Sequence, residues 1–207
     1  MAIPDAWDRA DRDEILATRR ILASRVLQGA IKDQGTVLDV ANSLLDATDR
    51  IPYAGRPLAA AHHALPAPQS PLDRLWHACS ILREYRGDGH NAVLTAAGVG
   101  PVEANILQVA IGKAGDDQRS LRGWSKADWE AGYDRLVARG WIDAEEGLTD
   151  AGLAGREEIE AFTDVASNDA VAHLIGTPVA EALLTWARAI IRSGVTPFPS
   201  ATGTATA

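Results

Sequence analysis

The chain is a series of amphipathic segments separated by glycine and proline. Apolar residues recur at three- and four-residue steps, the spacing that places side chains on one face of an α-helix. The stretch from Ser70 to Ala96 is the best marked of these segments. Ser70 can cap a helix, Pro71 suits its first turn, and Asp73 adds negative charge there. The predicted apolar face consists of Leu72, Leu75, Trp76, Cys79 and Leu82.

This central helix is predicted to end in a dense polar cluster, because Gly87 and Gly89 interrupt it. Asp88 would then cap a short helix that ends at Gly98. Nowhere else in the chain are so many chemically capable side chains so close in sequence. The polar cluster consists of Arg83, Glu84, Tyr85, Arg86, Asp88 and His90.

Similar signals predict helices on both sides of the central one. Ser125 is followed three residues later by Asp128, as in a capping box, and Thr149 can cap a helix that runs to about Ser167. The segment 141–149 contains a tight turn and predicts a small β-hairpin. The other helices are predicted near 8–28, 36–50, 57–63, 101–112, 168–175 and 177–194. Apolar side chains predicted to face inward include Leu22, Val137, Leu153 and Phe162.

The order of these elements is that of a winged helix, in which a capped helix, a hairpin and a long helix follow one another. The predicted fold class is therefore mainly α: a winged helix-turn-helix with a small β-hairpin wing and an additional N-terminal helical part. Prolines between 51 and 70 mark the main boundary. The predicted parts are an N-terminal helical part (1–55), a winged-helix-like domain (56–167), C-terminal helices packing on the core or on a partner (168–196) and a disordered tail (197–207).

Composition and charge narrow the class of protein. Of the 207 residues, 46% are hydrophobic and 23% are charged, which suits a globular chain with an adequate core. The net charge of −8 opposes nucleic acid or an anionic membrane as the default partner, although a local basic patch stays an alternative. The single Cys79 excludes an intramolecular disulfide. With no signal pattern and no apolar run of about 18 residues, we expect a soluble, cytoplasmic protein.

Two resemblances are carried by particular segments. Residues 131–143, with the turn and helix that begin at Gly147, resemble the recognition helix, wing and following helix of MarR-type regulators. Most of the chain resembles an actinobacterial family of MarR-like, helix-turn-helix-related proteins. The segments that carry this resemblance are 55–61, 75–78, 82–90, 122–129, 136–141 and 159–164. The resemblance implies a winged-helix fold without implying a reaction, and relatives are expected to carry a further N-terminal helical segment.

The outward face of the predicted recognition helix tests whether it reads DNA. If the apolar residues Trp129, Tyr133, Leu136 and Val137 face the core, the outward face carries two acids, one lysine and alanines. This set matches phosphates and base edges poorly. Over 119–143, five basic residues stand against four acidic ones, which is near balance. The wing tip carries Glu145 and Glu146. The candidate DNA-contacting residues are Arg119, Arg122, Lys126, Arg135 and Arg139.

The polar cluster has two interpretations. In the functional one, Arg83 and Arg86 clamp a carboxylate or phosphate, and His90 or Glu84 acts as acid or base. In the structural one, the arginines and Glu84 form ion pairs, and His90 is hydrogen-bonded in the core. The candidate catalytic residues are His90 and Glu84, and the candidate ligand-binding residues are Arg83, Arg86, Tyr85, Asp88, Trp76, Trp129 and Tyr133.

Three functional hypotheses follow. The first is a small-molecule-binding protein on a degenerate winged-helix scaffold, an accessory or catalytic protein of secondary metabolism; whether it catalyses a reaction stays open. The second is a dimeric MarR-like DNA-binding regulator, and the third is a structural or interaction module. We expect a homodimer, no membrane partner and no cofactor. No metal site is expected, because His62, His63 and His77 lack partners at metal-ligand spacing.

Overall fold

The computed structural model describes residues 8–33, 35–143, 145 and 147–195, and these residues are mainly helical. The prediction of a mainly α chain is thereby confirmed. The α-helices are α1 (Arg12–Ala30), α2 (Val37–Thr48), α3 (Pro57–His63), α4 (Pro71–Ala96), α5 (Pro101–Ala110), α6 (Gln118–Leu121), α7 (Lys126–Ala138), α8 (Asp150–Ser167) and α9 (Pro178–Arg192). Two 3-10 turns, Asn168–Ala170 and Ala172–Leu174, follow α8. The predicted disordered tail and the wing-tip Glu146 lie outside the described residues.

Several helices begin where the capping signals predict. Helix α3 spans the predicted residues. Ser125 Oγ accepts the backbone N–H of Asp128 at 3.0 Å, and Thr149 Oγ1 accepts that of Gly152 at 3.0 Å. Each bond satisfies one of the amides that the first turn of a helix leaves without a partner. The helix starts are therefore encoded locally in the sequence.

The central helix does not end in the polar cluster. Helix α4 continues from Pro71 to Ala96, so the predicted break at Gly87 and Gly89 and the predicted cap at Asp88 are both wrong. Each glycine costs a helix about 1 kcal/mol. Burial of the Tyr85 side chain, which is 3% exposed, contributes enough to offset that cost.

The predicted wing is reduced to one isolated antiparallel bridge between Ile142 and Leu148, and the described residues contain no longer strand. The Asp143 carboxylate accepts the backbone N–H groups of Glu145 at 3.1 Å and Gly147 at 2.7 Å. These two bonds stabilise a tight turn that begins at Asp143. Pairing between the two segments is therefore limited to the Ile142–Leu148 bridge.

The described residues divide into two compact units. The first unit contains residues 8–84 and 170–195, and its core is formed by α1, α2, α4 and α9, with Trp186 buried. The second unit contains residues 85–169, and its core includes Ile106, Leu136 and Ile142. Some side chains predicted to face inward are exposed instead: Leu22 (54%), Val137 (44%), Leu153 (43%) and Phe162 (56%).

Within the second unit, α5 and α7 pack closely against each other at Gly132. A Cβ atom at this position would lie 2.7 Å from Val102 Cγ1 and 2.8 Å from Ile106 Cδ1. Carbon atoms in packed interiors are normally 3.5–4.0 Å apart, so the contact requires a residue without a side chain.

Among the described helices, no single one is long and apolar enough to cross a membrane, although the bent pair α4 and α5 passes by length and composition together.

Candidate functional site

Helices α6 and α7 of the second unit follow each other across a short turn, which is the order of elements in a helix-turn-helix. The turn between them has four residues, 122–125, and Gly123 adopts a φ of +72°, a left-handed conformation that glycine accepts without strain. Arg119 Nη1 donates to the Trp124 carbonyl at 3.0 Å and so fastens the turn. A short, glycine-containing turn of this kind is typical of the motif.

The cations predicted to contact DNA are engaged within their own unit. Lys126 Nζ lies 3.4 Å from Glu130 Oε1, one helical turn away. Arg139 Nη1 donates to the Gly98 carbonyl at 3.3 Å, and its guanidinium lies 4.0 Å above the Trp141 ring. The stacking on Trp141 adds a cation–π attraction that holds Arg139 against the protein.

Arg135 forms an ion pair with Glu103. The Glu103 side chain is only 9% exposed. Burial raises the pKa of Glu103, but the hydrogen bond and the charge of Arg135 more than offset this, so the pKa lies below its ordinary value. Moving Arg135 to a DNA phosphate would leave a buried carboxylate uncompensated, which is unfavourable.

In the predicted polar cluster, Arg86 of α4 joins two carboxylates of α8. Its Nη2 lies 3.0 Å from Glu160 Oε2 and 2.9 Å from Asp164 Oδ1. Burial lowers the pKa of Arg86, but the hydrogen bonds and charges of the two acids raise it by more, so the net shift is upward. Arg86 therefore connects the two helices through Nη2.

His90 is hydrogen-bonded to the same helix, with Nδ1 2.9 Å from Thr163 Oγ1. The Thr163 hydroxyl donates its own proton to the Ile159 carbonyl at 2.8 Å, so its oxygen accepts from Nδ1–H of His90. Burial is the main cause that lowers the pKa of His90; Glu160 raises it, and neighbouring arginines lower it. The ring is therefore neutral at pH 7.

The remaining predicted site residues do not share one cleft. Arg83 pairs with the adjacent Glu84. Trp129 and Tyr133 form an edge-to-face pair with centroids 6.4 Å apart and pack against the second core. Trp76 lines a cleft of about 490 Å³ in the first unit, and no other predicted ligand-binding residue lines that cleft.

The second unit has a cleft of its own, of about 580 Å³, between the end of α4 and α8. Its walls are mostly apolar, with Phe162 56% exposed and Val165 74% exposed. Arg139 and Glu158 supply charged groups. None of the residues predicted to bind a small molecule lines it, although Arg139 was predicted as a DNA contact.

Sequence reasoning missed the α8 partners of the polar cluster: Arg156, Glu160, Thr163 and Asp164. They lie at i, i+4, i+7 and i+8, so they share one face of a helix. The spacing in the sequence shows that these four side chains share one helix face. It does not show which distant residues that face contacts. Among the described residues, no group of three or more histidine, cysteine or acidic side chains could hold a metal ion.

Comparison with known proteins gives one match. A model of a helix-turn-helix family matches residues 1–197. Neither the comparison with curated proteins nor the one with solved structures found a match. The family match covers nearly the whole chain and agrees with the α6–α7 motif. The chain therefore belongs to this helix-turn-helix family.

Proposed function

We propose that the protein binds a small, largely apolar molecule in the cleft of its second unit. The observation that carries the proposal is the cleft itself. Its volume of about 580 Å³ lies within the roughly 300–1,000 Å³ usual for small-molecule sites. Its apolar walls with a few charged groups are also the usual composition of such sites.

Two features of the cleft define the ligand. The exposed faces of Phe162 and Val165 favour an apolar body, since burying them removes apolar surface from water. Arg139 stacks on Trp141 and leaves its charge close to the cleft. The ligand is therefore an apolar molecule with at most one or two polar groups.

The test is a fluorescence titration with N-phenyl-1-naphthylamine, an uncharged probe of apolar sites. Phe162→Asn is expected to weaken binding about tenfold, because a buried aromatic contact contributes more than 1 kcal/mol. Leu153→Asn is the matched control, since Leu153 lies on the same helix, is 43% exposed and does not line the cleft. Equal titrations for the two variants would overturn the proposal.

DNA binding is the second candidate, and the helix-turn-helix geometry favours it. We propose that α7 reads duplex DNA poorly as it stands, because Asp128, Glu130 and Asp134 neighbour its few cations. Filter binding of a random duplex at 50 and 200 mM NaCl tests this. Neutralising the three acids, as D128N/E130Q/D134N, is expected to raise affinity and steepen the salt dependence. Tight, steeply salt-dependent binding by the unchanged protein would make DNA binding the function.

The MarR-like winged helix and the homodimer are further proposals. The Ile142–Leu148 bridge supports a minimal wing, as does the hydrogen bond from Asp143 N to Gly147 O at 2.9 Å. Slow hydrogen exchange of the Asp143 amide would support that wing, and fast exchange would count against it.

Sedimentation equilibrium over a hundredfold range of concentration decides between a monomer and a dimer.

A further inference from the structure

The first unit contains a second cleft, of different chemistry, that the proposed function does not use. It has a volume of about 490 Å³, within the range of small-molecule sites. Its walls come from α1, from the connection after α3 and from α4. The residues that matter here are Arg12, Arg19, Arg20, Asp73, Trp76 and His77.

The α1 wall of this cleft is cationic. Arg12, Arg19 and Arg20 fall at i, i+7 and i+8, so helical geometry places them on one face. Arg12 pairs with its exposed neighbour Asp13 at 2.9 Å. Three guanidinium groups and two carboxylates line the cleft, which leaves it with an excess of positive charge.

Arg19 is the uncommitted member of this wall. Within the described part of the chain, its guanidinium makes no hydrogen bond or ion pair. Arg20 lies 3.7 Å from Asp73, longer than a hydrogen bond, and that carboxylate also accepts a hydrogen bond from Ser24. Two arginines can therefore turn toward an anion without breaking a strong bond.

His77 provides a second, independent sign of a ligand. It is only 8% exposed and lines the cleft, and its ring has no hydrogen-bond partner among the described residues. Its ring nitrogens are not among the fully buried, unpartnered polar atoms of the described residues, so they open onto the cleft, where a ligand can bond to them. Burial, followed by the charges of His62, His63 and Arg74, lowers the pKa of His77. At pH 7 the neutral ring therefore offers one donor and one acceptor.

Trp76 completes the site. Its indole is 37% exposed on the cleft wall, directly before His77 in α4. An exposed tryptophan face favours a flat, apolar partner, because stacking on it removes apolar surface from water. The cleft therefore combines an aromatic surface and an imidazole on its α4 wall with cations on its α1 wall.

We propose that this cleft binds a small organic anion: a carboxylate or similar group at Arg19 and Arg20, a hydrogen bond to His77, and a flat apolar body against Trp76. This site is separate from the apolar cleft of the second unit, and it stands or falls independently of the proposed function.

The test is calorimetric titration of the full chain with 2-naphthoate, using 2-naphthalenemethanol as its uncharged counterpart. We expect 2-naphthoate to bind at least tenfold more tightly than the alcohol and to weaken as salt is raised from 50 to 500 mM, because the contact is ionic. Arg19→Gln is expected to lower 2-naphthoate affinity fivefold to tenfold, since hydrogen bonds to charged groups are strong.

Arg25→Gln is the matched control, because Arg25 lies on the same helix, is exposed and does not line the cleft. Trp76→Leu is expected to weaken both compounds. Equal affinity for the two compounds, or an equal loss in Arg25→Gln and Arg19→Gln, would overturn the proposal. A loss in Arg139→Gln with none in Arg19→Gln would also overturn it, because the anion would then bind in the second unit.

Discussion

Each unit of the protein contains one arginine and one histidine whose hydrogen bonding can be compared: Arg86 and His90 in the second unit, and Arg19 and His77 in the first. The two sets differ in whether the protein itself supplies their hydrogen-bond partners. In the second unit, Arg86 bonds to two carboxylates and His90 bonds to a threonine. In the first unit, Arg19 and His77 have no hydrogen-bond partner among the described residues. In the sequence, Arg86 and His90 stand out because they lie in the dense polar cluster. In the structure, Arg19 and His77 are the residues whose polar groups can still bind a ligand.

This comparison separates two properties that a sequence does not distinguish. A dense group of charged residues can be a self-contained network, because each member satisfies another. A binding site needs groups that the fold leaves unsatisfied, at a surface that a ligand can reach.

The largest effect is expected from a packing change in the second unit. Gly132→Val should lower the free energy of unfolding by about 3 kcal/mol, because the new side chain would overlap α5. Gly29→Val is the matched change in the first unit, where a Cβ would have nothing within 4 Å. It should change stability by no more than about 0.5 kcal/mol. Urea unfolding followed by circular dichroism measures both, and similar losses in the two variants would contradict the packing difference.

The two histidines should respond oppositely to the same substitution. His90→Leu removes a hydrogen bond to a buried hydroxyl and should cost about 1–2 kcal/mol of unfolding free energy. His77→Leu replaces an imidazole that lines the cleft and has no hydrogen-bond partner among the described residues, so no protein hydrogen bond is lost and stability should be unchanged or higher. The same urea titrations test this, and a larger loss in His77→Leu would show that His77 has a structural partner.

The helices were more predictable from the sequence than the site. Caps such as Ser125 and Thr149 act within one turn, so their effect is visible locally. The sequence does not predict that α4 is continuous, because Gly87 and Gly89 favour a break. Burial in the folded protein outweighs that local preference. Phe162 was predicted to be buried because its spacing is helical, but spacing does not reveal which face lacks a covering element.

The candidate sites depend on contacts over long sequence separations. Arg86 meets Glu160 and Asp164, more than 70 positions away, so the sequence shows the charges but not the pairing. The sequence shows only that His77 lacks partners at metal-ligand spacing. What distinguishes it is the lack of any hydrogen bond, which is a property of the folded chain.

The pH dependence of stability is expected to be smaller than the effect of His90→Leu. Folding lowers the pKa of both His77 and His90 below the ordinary value of 6.5. The unfolded chain then binds more protons as the pH falls through about 6.5, so stability is full above that pH and decreases toward pH 5. Melting temperatures at pH 7.5, 6.5 and 5.5 should fall in this order.

The double variant H77L/H90L should flatten this profile, because it removes both titrating rings. Glu103, whose pKa is lowered from 4.5, affects stability only at more acidic pH and does not contribute in this window. An unchanged slope in the double variant would assign the pH dependence to other groups.

The smallest effect is expected from the two arginines. Arg86→Gln should lower the free energy of unfolding by about 0.5 kcal/mol, since the Arg86 side chain is 47% exposed and water screens its ion pairs. Arg19→Gln should leave stability unchanged, because no pair is lost. Repeating both measurements in 1 M NaCl should remove the Arg86 effect, since the Debye length there is only about 3 Å. If Arg19→Gln also destabilises the protein in a salt-dependent way, then Arg19 is already paired within the chain, and the contrast between the two units does not hold.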